Sequence, residues 1–188
     1  MTRDILPFAS RAWFGLLALL FFARGMDFLS TWVATPNLVL EGNPLARKLG
    51  WKWGALVNVA LCFTFAFWPP PAIIVITAGL LVAAHNFHSA WLMRAMGEAA
   101  YREWFSQRLS QTPLALYLAC LLGETALTAL PGAALIWWSP DDSVAFSIGC
   151  GLVAYAGIVL FYTSLSLWRL RRRKVKKEPC IIQDKTNS

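Results

Sequence analysis

Charge is scarce in this sequence. Asp, Glu, Lys and Arg make up 14% of its 188 residues, whereas ordinary soluble domains carry about 25%. The scarcity is uneven, and whole stretches long enough to cross a bilayer pass with one charge or none. That distribution excludes a solvated surface along those stretches. The motifs of familiar hydrolases are missing too: there is no H-E-x-x-H and no G-x-S-x-G. The four cysteines, Cys62, Cys120, Cys150 and Cys180, have no metal-type spacing. Three sit in apolar runs and read as small core residues, and Cys180 lies in a basic tail, expected as a free thiol in a reducing cytoplasm. No internal repeat is evident, which argues against an inverted-repeat transporter. The length leaves no room for a large soluble catalytic domain beside the apolar part.

Hydrophobic residues are abundant instead, at 57% of the chain. The pattern predicts an all-α fold: a polytopic membrane bundle of about five transmembrane helices with one amphipathic interfacial helix. The predicted spans are 13–34, 53–68, 72–93, 113–138 and 144–168. Most reach the roughly 20 residues that a crossing needs, and the second is short. Pro69, Pro70 and Pro71 are expected to break the chain between spans two and three. Thr112–Pro113 and Ser139–Pro140 read as N-caps followed by proline at the first helical position. Tryptophans 51, 53, 68, 137, 138 and 168 stand near span ends, as an interfacial aromatic belt requires. Between spans three and four, residues 94–111 place Met96, Ala100, Tyr101, Trp104, Phe105 and Leu109 at helical spacing, the mark of a helix lying on the membrane surface.

The net charge of +7 raises the question of nucleic acid. The positions of the charges answer it. Arg169, Arg171, Arg172, Arg173, Lys174, Lys176 and Lys177 follow directly on the last apolar run, with no interleaved aromatics. Such a block reads as a contact with anionic lipid headgroups, worth about 1 kcal/mol per basic residue near the surface, and not as a nucleic-acid site. Arg47, Lys48, Lys52, Arg94, Arg102 and Arg108 fall on the same predicted side as this tail; Arg3 and Arg11 are alone on the other. The positive-inside rule then places residues 1–12 outside, the tail 169–188 in the cytoplasm, and the protein in the plasma membrane. Arg3 and Arg11 before an apolar run also resemble the start of a signal peptide, but cleavage would put the Arg47–Lys52 loop outside, against the charge bias.

Ionisable groups within spans cost about 2.5–3.5 kcal/mol each at mid-helix, so their positions are informative. The candidates within spans are Arg24, Asp27, Asn58, His85, His88 and Glu124; Thr31 shares a face with Asp27, and Glu41 and Asn43 of the following loop complete the expected polar site. At 1.5 Å per residue, Asp27 lies roughly 10 Å from the inner end of span one, and the two histidines about 12 and 8 Å from that of span three. One cavity in the cytoplasmic half would serve them all. Asp27, His85, His88 and Glu124 include the donor types for a divalent metal, although the sequence requires no cofactor. Pro131–Gly132 is expected to interrupt span four and free the Leu127 carbonyl, one turn above Glu124.

Asp27 and Thr31 followed by Glu41-Gly42-Asn43-Pro44-Leu45 form a D-x-x-x-T … E-x-N-P-L pattern. The pattern resembles that of the DUF5658-like family of small bacterial and archaeal membrane proteins of unknown function, over about residues 20–93. The resemblance implies a membrane location and a shared polar site, and no reaction. Where that family often has a lysine in span two, the nearest polar residue here is Asn58.

Three functions fit these residues. The leading one is a non-enzymatic binding or assembly module whose polar cluster fixes helix packing or holds a small ligand, with room for a membrane-protein partner. The second is an intramembrane metal-dependent enzyme built on the histidines and carboxylates. The third is an ion or proton path through Asp27, Glu124 and the histidines.

Overall fold

A computed structural model describes residues 5–41, 43–141 and 143–175. Among them are six helices and no strand: α1 (Arg11–Ala34), α2 (Pro44–Phe65), α3 (Pro69–Met96), α4 (Glu98–Gln111), α5 (Leu114–Trp138) and α6 (Val144–Val175). Four of these, α1, α3, α5 and α6 as far as Trp168, are long and apolar enough to cross a membrane. Their apolar surface faces outward: in the most apolar stretch of α5 only 11% of residues are buried. Leu127, Trp137 and Trp138 there are 77%, 83% and 80% exposed. Contiguous apolar surface on that scale demands an apolar solvent.

The register between neighbours gives the topology. Gly79 of α3 faces Ala23 of α1, and further along Asn86 meets Ser30 and Thr31. Both contacts advance in the same sense, so α1 and α3 are parallel. The chain must therefore return between them, and α2 makes the return. Its Trp51 indole donates to the Pro36 carbonyl at one end, Asn58 meets Arg24 midway, and Phe63 and Phe67 reach Trp13 at the other. The helical part that does this, residues 51–65, is about 22 Å long; with Arg47, Lys48 and Lys52 near its start, α2 is not among the helices apolar enough to cross a membrane. Gly50, at φ +66°, separates it from a first turn that carries Arg47 and Lys48. Leu121 of α5 and Val159 of α6 share a core with Leu81 and Val82 of α3. Gly132 and Gly149 meet further along α5 and α6, so these two helices are antiparallel. The chain thus passes five times between the two ends of the bundle, and residues 5–10 lie at the opposite end from the C-terminal turns of α6.

Several boundaries differ from expectation. The three prolines do not precede α3; they form its first turn, where the missing N–H groups cost nothing and the fixed φ suits the helix. Gly97, at φ +78°, ends α3 and starts α4. Thr112 closes α4 by donating to the Arg108 carbonyl, so it does not cap α5. Likewise Ser139 ends α5, and Ser143 caps α6 by accepting from the Phe146 N–H. In α4, Tyr101, Trp104, Phe105 and Leu109 are half-buried, while Ala100 of the expected apolar stripe is exposed, as are Arg102, Glu103, Gln107 and Arg108. Helix α6 runs on past Trp168 through Arg169, Arg171, Arg172, Arg173 and Lys174, whereas Lys176 and Lys177 lie outside the described residues.

Close contact of α5 with α6 explains Gly132 better than a kink does. Helix α5 is continuous through Pro131. A Cβ on Gly132 would lie 2.8 Å from the Gly149 carbonyl oxygen, and one on Gly149 would lie 2.7 Å from that of Gly132. Substituting Gly132→Ala or Gly149→Ala should force the helices apart and cost about 1–3 kcal/mol. Unfolding in mixed detergent micelles measures this, with Gly123→Ala, which has nothing within 4 Å, as the neutral comparison.

Candidate functional site

The polar residues divide into three groups. The first joins α1 to its two neighbours. Arg24 pairs with Asp27 at 3.0 Å, with side chains 27% and 16% exposed. The guanidinium Nε also donates to Asn58 Oδ1, and the Asn58 amide in turn donates to the Gly54 carbonyl at 2.8 Å. One turn on, the Asn86 amide of α3 reaches Ser30 Oγ at 3.3 Å and Thr31 Oγ1 at 3.5 Å. The Ser30 hydroxyl donates to the Asp27 carbonyl. Arg24 thus links Asp27 and Asn58, and Asn86 holds Ser30 and Thr31 beside them.

The second group organises the loop between α1 and α2. The Glu41 carboxylate accepts from the Asn43 N–H at 2.8 Å, and Asn43 Oδ1 caps the first turn of α2 from the Ala46 N–H at 3.5 Å. Burial pushes the Glu41 carboxyl above its ordinary value; the Asn43 N–H pulls it back, the Asp27 charge pushes it further up, and Arg47 opposes. Glu41 is thus within electrostatic reach of Asp27. The D-x-x-x-T and E-x-N-P-L residues accordingly share one end of the bundle.

Glu98, which sequence reasoning missed, ties this loop to α4. Its carboxylate accepts from Thr35 Oγ1 at 3.0 Å, from the Asn37 N–H at 2.8 Å and amide at 3.2 Å, and from the Val39 N–H at 3.1 Å. Desolvation pushes its pKa up, but the Asn37 N–H, the Thr35 hydroxyl, the Val39 N–H and the Asn37 amide together hold it below the usual 4.5. At the helix start, Glu98 also complements the α4 dipole.

The third group is a pair on its own. His85 Nδ1 of α3 lies 3.2 Å from Glu124 Oε1 of α5, and each side chain is 47% exposed. Helices α3 and α5 flank α6 there, and Glu124 is within electrostatic reach of Tyr117 and of Tyr155 on α6. His88 is exposed and joins neither this pair nor the Arg24 group.

Among the described residues Asp27 goes to Arg24 and Glu124 to His85, so the expected metal set of Asp27, His85, His88 and Glu124 is not drawn into one group. Among the described residues no three His, Cys, Asp or Glu side chains come together as a metal site. Helix phase is the reason. Buried Ala72, Gly79, Ala83 and Ala90 define the inner stripe of α3, and Asn86 falls on it toward α1. His85, one residue and about 100° earlier, turns instead to α5. That stripe of small residues was the signal in the sequence for Asn86.

These features define a multi-pass helical membrane protein whose polar groups are distributed in local networks. No family model, curated protein or solved structure matches the chain.

The Glu98 knot makes a pH-dependent prediction. Because folding lowers its pKa, its contribution is complete above about pH 4.5 and is lost as pH falls through the lower folded-state value. Hydrogen-exchange protection of the Asn37 and Val39 amides should be high at pH 7, should drop in Glu98→Ala, and the gap between the two proteins should close below pH 4.5.

Proposed function

We propose that this chain is a non-enzymatic binding or assembly module of the plasma membrane, with its basic end in the cytoplasm. The observation that carries the reading is the pairing of intramembrane polar groups across helix contacts: Arg24 with Asp27 and Asn58, and Asn86 with Ser30 and Thr31. Each joins α1 to another helix or neutralises a charge beside that joint. Interhelical hydrogen bonds of this kind hold membrane helices where no hydrophobic drive between them exists. The enzyme and ion-path readings draw on residues that go to separate networks, so no observation favours them. Of the motif residues that carry the resemblance over 20–93, Asp27 and Thr31 serve the α1 joints and Glu41 and Asn43 order the loop into α2, roles that suit a module.

Orientation rests on the charges. Arg47, Lys48, Lys52, Arg94, Arg102, Arg108 and the basic turns from Arg169 all belong to one end of the bundle, and Arg11 belongs to the other. The positive-inside rule assigns the first end to the cytoplasm. A fluorescent-protein fusion after residue 175 should be bright and a periplasmic-type phosphatase fused after residue 140 should be active; the opposite result would reverse the assignment.

For the module itself, Arg24→Leu and Asp27→Leu should each lose about 1–3 kcal/mol of stability in detergent, because each leaves an unpaired charge. The double replacement should lose less than the sum of the two. A proton or cation flux in liposomes that is present in the wild type and vanishes in a folded double variant would overturn the reading.

A further inference from the structure

Beyond the polar networks, a cavity lies against α4. It has a volume of about 250 Å³ and lies between the end of α3, α4 and the first turns of α5. Leu92, Tyr101, Trp104 and Phe105 supply its apolar walls, and Arg108, an exposed residue, and Tyr117 lie at its lining. Tyr101 holds the wall in shape, stacked on Phe105 at 6.1 Å and tilted on Trp104 at 5.7 Å between centroids. None of the residues of α4 is buried. Its aromatic residues Tyr101, Trp104 and Phe105 line this cavity.

We propose that this cavity binds one anionic phospholipid, with the phosphate on Arg108 and the upper part of an acyl chain against Trp104, Phe105 and Leu92. Three observations select this occupant. The cavity lies at the basic end of the bundle, beside the amphipathic helix, where aromatic side chains meet headgroups. Among the described residues no carboxylate pairs with Arg108, and Glu98, the acid at the start of α4, is engaged by the 35–40 loop. The volume is below the roughly 300–1,000 Å³ of drug-sized sites and fits part of a lipid better than a folded partner. A planar guanidinium matches a phosphate in bidentate fashion.

This site is separate from the basic turns of α6, though it rests on α4 lying at the membrane surface. The test uses the full chain reconstituted into phosphatidylcholine vesicles containing 20% of either phosphatidylglycerol or phosphatidylcholine with brominated acyl chains. The signal is the quenching of Trp104, taken as the difference between proteins with and without Trp104→Phe. Brominated phosphatidylglycerol should quench Trp104 at least threefold more than brominated phosphatidylcholine. Arg108→Gln should abolish that preference, and Arg102→Gln, on the exposed face of α4, should preserve it. Equal quenching by the two lipids, or equal loss in both arginine variants, would overturn the site and point to general surface charge. In inserted protein, absence of Trp104 quenching by both brominated lipids would overturn the surface placement of α4 and the site with it.

Discussion

The parallel contact between α1 and α3 governs this bundle. It is possible because Gly79 and Ala23 let two backbones approach where larger side chains would hold them apart. Lipid is as apolar as leucine, so greasy side chains alone give membrane helices no reason to associate; close packing and interhelical hydrogen bonds must do it. Once α1 and α3 run the same way, the intervening chain has to come back along them. That requirement sends α2 back along them, although its basic start keeps it from the apolarity of the other long helices.

The same logic recurs at the other contacts of α3 and α6. Gly151 of α6 sits where a Cβ would lie 2.7 Å from the Thr77 Cβ, and Gly132 meets Gly149 where α5 crosses α6. Helices α3 and α6 are thereby the middle of the assembly, with α1 and α5 outside them. The polar networks follow this geometry. Arg24 has a place because α2 brings Asn58 to it, and Asn58 can approach because Gly54 leaves space for Phe28. The His85–Glu124 pair, by contrast, spans the outside of α6 and is half-exposed, which makes it the more costly of the intramembrane pairs.

At the basic end, the structure concentrates several features that the chain carries far apart. Glu98 binds the 35–40 loop, Arg94 lies over the Trp32 ring at 5.8 Å, and Trp51 holds the Pro36 carbonyl. These contacts fasten the ends of α1, α2 and α3 to the start of α4. The proposed lipid cavity lies immediately beyond, so the helix that borders it is anchored at one end by a carboxylate with four donors.

Much of this was legible in the residues. Scarcity of charge, long apolar runs and one-sided basic residues determined an all-helical, multi-pass architecture with an amphipathic helix after the third span, because a bilayer accepts few alternatives. Local motifs also located the Asp27–Glu41 region. Tertiary structure alone decided which polar groups meet. Depth along a helix can be counted from sequence, but rotation about its axis is set by the neighbour it packs on. One residue of rotation sends His85 to α5 and Asn86 to α1, and it divides an expected common site into separate networks.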